Sequence, residues 1–206
     1  MYRLSRGLRT AILDALAPAR CASCRDSGQA LCEACAVAIE ASPTPLVAGV
    51  RAAFVYDTEV RQVLHHGKFR DCRAALRALA WLAAPRLSPP AAAAAVVPVP
   101  LSERRLAERG YNQAAVVAGA LAGVHRLPVA DLLARTRDTP PQSTLARSER
   151  LASVAGAFEA MPAARGATLW LVDDVLTTGA TTQAAKRALL DAGAAHVEVA
   201  VLAAVL

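Results

Sequence analysis

Apolar runs and segments with helical spacing alternate along the chain from Val96 to its end. Short apolar runs bounded by glycine, proline or charged residues are typical of buried strands, and apolar positions three or four residues apart are typical of helices. The pattern predicts strands at 96–99, 156–159, 169–172 and 197–206, and helices at 112–124 and 181–192. Gly193 is expected to cap the last helix. This alternation favours an α/β fold whose sheet is mostly parallel, with right-handed crossovers.

The first part of the chain has a different pattern, which indicates a small additional module. Four of the five cysteines lie between Cys21 and Cys35, and the Ser-Pro-Thr-Pro segment at 42–45 is typical of a linker. We therefore expect a cysteine module at 1–48, beginning with a short amphipathic helix, and a larger domain at 49–206. The start of the larger domain is predicted to contain a strand at 54–56, helices at 58–68 and 72–82, and a low-complexity connection at 88–95.

The most informative segment is 169–181, which reads Leu-Trp-Leu-Val-Asp-Asp-Val-Leu-Thr-Thr-Gly-Ala-Thr. A buried strand is predicted to end at the acid pair Asp173 and Asp174, and a hydroxyl-rich turn around Gly179 leads into a helix. Backbone N–H groups and threonine hydroxyls at a helix N-terminus can bind phosphate, and carboxylates just upstream can hold ribose hydroxyls or a bridging metal ion. The segment therefore predicts a sugar-phosphate site. The alternative is a strand that happens to end in two acids before a capped helix.

The cysteine cluster has the spacing Cys21-x2-Cys24-x7-Cys32-x2-Cys35. Two such pairs suit tetrahedral Zn²⁺, because each pair can place two thiolates about 2.3 Å from one ion. A disulfide pair is the alternative, which a cytosolic context disfavours. We therefore predict one structural zinc ion held by these four residues.

Two basic segments lie between the predicted core elements. In the first, Arg104, Arg105 and Arg109 follow a strand and precede Gly110. This segment is either an oxyanion loop for pyrophosphate or an exposed basic helix that Ser102 caps. The second, at 135–150, is either a functional lid or a surface linker, because long loops without secondary structure are uncommon in compact domains.

Composition narrows the function classes. The formal net charge is +6 and arginine carries most of the positive charge, which suits phosphate recognition by the planar guanidinium group. Aromatic residues are only 4% of the chain, which argues against a dedicated single-stranded DNA binder because base stacking needs aromatic side chains. No apolar run approaches the roughly 20 residues of a membrane span, so we expect no membrane partner and a cytoplasmic protein.

Together, these segments resemble the ComF family of phosphoribosyltransferase-like proteins, which is tied to bacterial competence. The resemblance covers nearly the whole chain from about Cys21. It rests on the cysteine pairs and on six further segments, namely 66–70 (His-Gly-Lys-Phe-Arg), 98–100 (Pro-Val-Pro) with Arg104, 109–113 (Arg-Gly-Tyr-Asn-Gln), 139–142 (Thr-Pro-Pro-Gln), Arg150 with 156–158, and the acid-pair motif. It implies a type I phosphoribosyltransferase fold, which is a mostly parallel sheet flanked by helices, with a small N-terminal zinc-binding module.

The resemblance also implies roles for individual residues. The ligand would be phosphoribosyl pyrophosphate (PRPP) or a related sugar phosphate, with Mg²⁺. Its binding residues would be Asp173, Asp174, Thr177, Thr178, Gly179, Ala180 and Thr181. The catalytic residues would be Asp173, Asp174 and Arg104, of which Arg104 would approach the pyrophosphate. The loop or lid residues would be Lys68, Arg109, Tyr111, Asn112, Gln113, Gln142 and Arg150.

Two hypotheses about function follow from this resemblance. In the first, the protein binds PRPP and Mg²⁺, is linked to competence and DNA uptake, and transfers a phosphoribosyl group to an acceptor. In the second, it is a non-catalytic nucleotide-binding partner of a competence helicase or single-stranded DNA uptake complex. Weak contact of the arginines with single-stranded DNA is a further expectation. The residues alone do not choose between them, because no side chain stands out as the general base for an acceptor.

Overall fold

The computed structural model describes residues 19–69, 72–137 and 156–206, except for the side chains of 67–69. Its strands, in chain order, are Leu46–Val47 (β1), Val50–Val55 (β2), Ala95–Pro98 (β3), Leu133–Arg135 (β4), Phe158–Ala160 (β5), Thr168–Leu176 (β6) and His196–Ala204 (β7). Five of them form one sheet in the order β1-β2-β7-β6-β3, in which only β1 is antiparallel to its neighbour. The remaining two, β4 and β5, form a separate antiparallel pair. The mostly parallel sheet is therefore confirmed.

The helices in the described part of the chain are Glu33–Glu40 (α1), Thr58–Phe69 (α2), Arg73–Ala83 (α3), Glu103–Arg109 (α4), Gln113–His125 (α5) and Ala180–Asp191 (α6). Short 3₁₀ turns follow at Ala84–Arg86 and Pro162–Ala164. The four helices that the apolar spacing predicts are confirmed to within one residue at each end. Gly193 has a φ of 93° just after α6, as its predicted role as a C-terminal cap requires.

The strand that carries the acid pair is longer than predicted. It continues through Asp173 and Asp174 because β7 supplies partners beyond them: Asp173 pairs with Val201, and Leu176 pairs with Ala204. The prediction that the strand ends at the acid pair is therefore wrong by several residues. Successive residues of a strand point to opposite faces of a sheet, so the two carboxylates leave β6 on opposite sides.

Each face of the sheet has its own buried cluster. On one face, Trp170 and Leu202 pack with residues of α2, α3 and α5. On the other, Leu171 and Val199 pack with α6 and with the β4–β5 pair. The last strand, β7, is buried on both faces along most of its length, as its continuous apolar sequence predicts.

The cysteine module packs against the same cluster as α2 and α3. Cys21 and Ile39 are fully buried there. Arg86 fixes the connection to the sheet, since its guanidinium donates to the carbonyl oxygens of Ser42 (2.7 Å) and Ala53 (3.1 Å) and also to that of Glu40 at the end of α1. The division into modules at 48/49 stays a prediction.

Some predictions fall outside the described residues. These are the N-terminal amphipathic helix and the segment that contains Thr139 to Gln142 and Arg150. Among the helices that the structure describes, none combines the length and the apolar character that a bilayer crossing requires.

Candidate phosphate site and cysteine cluster

The turn between β6 and α6 has the backbone geometry of an anion-binding helix start. Gly179 is the N-cap of α6, and its φ of 77° and ψ of −2° are left-handed. Its carbonyl oxygen accepts bonds from the Thr182 hydroxyl (3.0 Å) and from the N–H of Gln183 (2.9 Å). The Thr178 hydroxyl oxygen accepts from the N–H of Ala180 (3.5 Å). Helix starts leave N–H groups without partners in the helix, and such groups can receive phosphate oxygens.

One acid of the pair faces this turn. Asp173, Thr177, Gly179, Ala180 and Thr181 line a common depression of about 20 Å³. Such a volume holds roughly one water-sized group, so a sugar phosphate would lie over the depression and place single oxygens in it. Asp174 is not among the residues that line it. Its backbone N–H instead donates to Asp173 Oδ1 (2.9 Å), which orients the first carboxylate.

The structure places Arg104 on the exposed helix α4. Ser102 caps this helix, as its hydroxyl oxygen accepts from the N–H of Arg105 (3.5 Å). The Arg104 guanidinium donates to the Glu108 carboxylate (2.7 Å), one turn along the same helix. The local geometry is therefore that of a capped basic helix, and Arg104 would have to leave Glu108 to meet a pyrophosphate. Its catalytic role stays a prediction.

The Arg-Gly-Tyr-Asn-Gln segment anchors the start of α5 to the end of β3. The Asn112 side chain caps the helix by accepting from the N–H of Ala114 (3.1 Å) and donates to the carbonyl oxygen of Val99 (3.0 Å). Tyr111 is buried, and the Arg73 guanidinium lies 4.5 Å from its ring centre. The sequence pattern did not single out Arg73, since nothing around it forms a motif.

Gln113 is the one residue of this segment that carries an unused buried donor. It is only 2% exposed, and its Oε1 accepts from the Arg109 guanidinium (2.9 Å). Its Nε2 has no hydrogen-bond partner. A buried amide donor without a partner is costly, and native proteins usually give such a group an acceptor. Gln113 thus lies in a packed helix start, although the sequence grouped it with Arg109, Tyr111 and Asn112 as a loop or lid residue.

Three other predicted lid residues cannot be placed at this site. The backbone of Lys68 lies in α2 but its side chain is outside the described part, and so are Gln142 and Arg150 entirely.

The four predicted metal ligands lie together. The Sγ atoms of Cys21, Cys24, Cys32 and Cys35 are all within 4.8 Å of one another. Tetrahedral coordination at about 2.3 Å from sulfur to metal requires sulfur–sulfur distances of roughly 3.8 Å. The observed spread is thus close to that of four cysteines bound to one metal, and the cluster is able to hold one metal ion.

Each Cys-x2-Cys pair lies on a tight turn of the backbone, here called a knuckle: the first contains Cys21 and Cys24, and the second contains Cys32 and Cys35. Arg25 follows the first pair with a φ of 71°, and its N–H donates to the carbonyl oxygen of Cys21 (3.0 Å). Cys32 is the N-cap of α1, so Cys35 lies in the first turn of that helix. The N–H of Cys32 donates to Cys21 Sγ (3.4 Å), which is the N–H···S contact expected of a thiolate ligand.

The thiols of the cluster differ in pKa. Burial opposes ionisation of Cys21, but backbone donors, first that of Cys32, outweigh it and lower its pKa to about 6. The Asp26 backbone N–H lowers the pKa of Cys24, but the neighbouring thiols, first Cys32, raise it to about 12 overall. Burial raises the pKa of Cys35. One thiolate is therefore stable by itself, and a cation is needed to stabilise all four together.

Two hydrogen bonds connect the first knuckle to α2. The Ser23 hydroxyl donates to Gln62 Oε1 (3.1 Å). The Arg25 guanidinium lies 2.7 Å from His66 Nε2, while His66 Nδ1 lies 2.9 Å from the carbonyl oxygen of Gln62. His66 therefore accepts from Arg25 through Nε2, since Nδ1 must be the donor to a carbonyl.

Parts of the chain are similar to known sequences. A family model described as "Phosphoribosyl transferase domain" matches residues 107–206. Competence protein ComFC of Bacillus subtilis is 32% identical over 147 residues, which cover 70% of this chain and 59% of that protein. DNA utilization protein YhgH of Escherichia coli K12 is 35% identical over 105 residues, 50% of this chain and 46% of that protein. The chain thus spans about half the length of these curated relatives.

A solved structure gives a weaker similarity. The glutamine PRPP amidotransferase of B. subtilis, complexed with ADP and GMP, aligns with a TM-score of 0.44 and 20% identity. The alignment covers 63% of this chain and 26% of the amidotransferase.

Proposed function

We propose that this chain, which belongs to the ComF family of phosphoribosyltransferase-like proteins and has a type I phosphoribosyltransferase fold, binds PRPP with Mg²⁺ at the end of β6. The observation that carries the proposal is the depression shared by Asp173 and the left-handed turn at Gly179. The N–H groups of a helix start can donate to the 5-phosphate of a ribose, and a carboxylate beside them can accept from its hydroxyls.

The proposal assigns roles to the residues of the site. Thr177, Thr178, Gly179, Ala180 and Thr181 bind the 5′-phosphate through backbone N–H groups and hydroxyls. Asp173 and Asp174 hold the ribose hydroxyls, directly or through Mg²⁺, for which carboxylate oxygens are suitable ligands. Asp173 already lines the depression, and Asp174 would have to turn towards the ligand to join it. Mg²⁺ would neutralise the charge of a pyrophosphate leaving group. The two acids favour positive charge on the ribose ring, and Arg104 approaches the pyrophosphate once it leaves Glu108.

The cysteine cluster is proposed as a structural zinc site. Four cysteine ligands fill all the coordination positions of a tetrahedral zinc ion and leave none for water or substrate, which is typical of structural rather than catalytic zinc. We propose that residues 1–48 form this zinc module and residues 49–206 the phosphoribosyltransferase-like domain, in a cytoplasmic protein.

The cellular role is proposed from the relatives. Their names refer to competence and to DNA utilization, so we propose a role in DNA uptake for this chain as well. The second candidate is a non-catalytic nucleotide-binding partner of a competence helicase or DNA-uptake complex. It needs no cation at the pyrophosphate, whereas the first candidate needs Arg104 to exchange its exposed ion pair with Glu108, worth about 0.5 kcal/mol or less, for the ligand.

Thermal unfolding with ligand tests the binding proposal. PRPP and Mg²⁺ at about 100 times the dissociation constant should add about 2.7 kcal/mol to the free energy of unfolding. Asp173→Asn should lose most of this gain, because asparagine cannot supply the charge that binds Mg²⁺. Asp131→Asn is the matched control, since Asp131 is an exposed aspartate that does not line the depression.

The outcomes separate the candidates. Stabilisation that Asp173→Asn abolishes, with pyrophosphate released only when a nucleobase or another acceptor is added, supports an enzyme. Stabilisation without pyrophosphate release from any acceptor supports the non-catalytic candidate. If the wild-type protein gains no stability from PRPP and Mg²⁺, the site does not bind PRPP and the proposal is wrong.

A further inference from the structure

A groove of about 650 Å³ runs between α3 and α5, on the side away from the sheet. Trp81 of α3 and Val124 of α5 line it and are 57% and 50% exposed. Arg77 is the one charged residue among the described residues that line it, and no hydrogen bond or ion pair joins Arg77 to another of them. A large exposed aromatic side chain in a groove of this size is a feature of binding surfaces.

The floor of the groove is an unusual helix. No polar side chain occurs in α5 between Gln113 and His125. A helix that is apolar on all sides is normally covered on all sides. The inner side of α5 packs on β3 and β6 and its flank on α3, but Ala115, Gly119 and Gly123, each one turn apart, are exposed and face the groove.

The two glycines have no role within the chain that an alanine could not fill. Neither has a left-handed backbone, and a Cβ added at Gly119 or Gly123 would meet no atom of the described residues within 4 Å. Glycine in a helix interior destabilises the helix relative to alanine. The close approach of another backbone from outside would account for glycine at both positions.

We propose that the α3–α5 groove is the docking site of an acidic amphipathic helix from a partner protein. The row at 115, 119 and 123 has the i, i+4 spacing of the ridges that helices use to pack against each other. Trp81 would be the apolar anchor, and Arg77 would pair with an acidic side chain of the partner. This proposal does not rest on the phosphoribosyl site, because none of its residues lines the depression at Asp173.

Charge decides between the alternative occupants. Single-stranded nucleic acid needs a track of cations along its backbone, and Arg77 is the only cation among the described residues that line the groove. A second copy of this chain would bring another arginine-bearing groove and a net charge of +6. An acidic helix complements both the groove and the overall charge of the chain.

Photocrosslinking in the organism that contains this protein tests the proposal. The photoreactive residue benzoylphenylalanine replaces Val124 at the rim of the groove, and replaces Leu190 on α6 as the control, since Leu190 is also an exposed apolar helix residue. We expect an adduct from position 124 only, with the crosslinked residue in an acidic, helix-forming segment of another protein. Its yield should fall at least tenfold in Arg77→Glu and persist in Arg77→Lys.

A synthetic peptide with the crosslinked sequence then tests the geometry on the purified chain. Binding is read from the fluorescence of Trp81, as Trp170 is fully buried. Gly119→Leu and Gly123→Leu should each weaken binding at least tenfold without lowering the unfolding temperature, because both positions open to solvent. A peptide in which lysine replaces the acidic residues should bind the Arg77→Glu variant, because the charges of both partners are then reversed.

Other results overturn the proposal. These are an adduct with nucleic acid, with a second copy of the chain or with residues 1–18 of the same chain, and also the absence of an adduct. A yield that Arg77→Glu leaves unchanged, or peptide binding that tolerates leucine at 119 and 123, would likewise contradict it.

Discussion

The backbone of Gly179 allows a sharp test of how the phosphate turn is built. Its φ of 77° lies in the left-handed region, where a residue with a Cβ atom costs about 1–2 kcal/mol more than glycine. The Cβ atom itself would meet Gln183 Nε2 at 3.5 Å and Leu176 Cδ1 at 3.6 Å, which are ordinary contacts. The penalty of Gly179→Ala should therefore come from the backbone alone. The free energy of unfolding should fall by about 1–2 kcal/mol, or about 2–8 °C in unfolding temperature.

Glycine to alanine at Gly119 is the matched control, and it should change the free energy of unfolding in the opposite direction. Gly119 lies in the interior of α5, without a left-handed backbone and with open space where the Cβ atom would be. Gly119→Ala should therefore raise the free energy of unfolding by about 0.5–1 kcal/mol. Differential scanning calorimetry of the two variants, free and with PRPP and Mg²⁺, measures both effects.

Measurements with ligand distinguish an effect of Gly179→Ala on the stability of the fold from an effect on phosphate binding. In Gly179→Ala the turn can relieve its strain only by rotating the peptide groups at the start of α6, which directs their N–H groups away from a phosphate. The stabilisation by ligand should thus shrink in Gly179→Ala and stay at its wild-type value in Gly119→Ala. An unchanged unfolding temperature in Gly179→Ala would refute the argument from backbone strain. An unchanged ligand effect in that variant would show that the turn does not bind the phosphate.

Three further predictions concern other parts of the chain. The purified protein should contain close to one zinc per chain by elemental analysis, and Cys32→Ser/Cys35→Ser should lose it because two of the four ligands are removed; equal zinc in that variant would contradict the assignment. Arg86→Met should lower the free energy of unfolding by about 2–4 kcal/mol in a denaturant titration, because three carbonyl oxygens lose a charged donor. Arg187→Met, which removes an exposed ion pair with Asp191, should cost less than about 0.5 kcal/mol, and equal losses would refute the role of Arg86. Any binding of single-stranded DNA should weaken steeply with ionic strength in fluorescence anisotropy, and binding that persists in about 0.5 M salt would indicate a stacking mechanism instead.

The sequence was most reliable where the apolar pattern is continuous. Helices α2, α3, α5 and α6 are where the apolar pattern predicts them, since each buries apolar side chains in the core. The end of β6 was predicted wrongly because two aspartates read as a strand end, while the pairing partners that extend the strand come from β7, far along the chain. Helix α1 was not predicted, as its start is set by Cys32 in the metal knuckle rather than by apolar spacing.

The local sequence was also sufficient to predict the cysteine cluster and the phosphate turn. The spacing of the four cysteines predicts that their sulfur atoms meet, and the structure brings them within 4.8 Å. Likewise, the Thr-Gly-Ala-Thr turn predicts a helix start next to an acid, and Asp173 lines it. Short-range spacing predicts such groups because a few residues of backbone fix their distances.

Only the tertiary structure decided which side chains are already engaged. It buried Gln113 with an unused donor, placed Asp173 but not Asp174 on the depression beside Gly179, and brought the Arg73 guanidinium over the ring of Tyr111. It also left Trp81 exposed above two helical glycines. These outcomes depend on which elements pack side by side, and residues brought together from distant parts of the chain leave no periodic signal in the sequence. The sequence by itself therefore determined the elements and their local chemistry, and packing decided which groups remain available to a ligand or a partner.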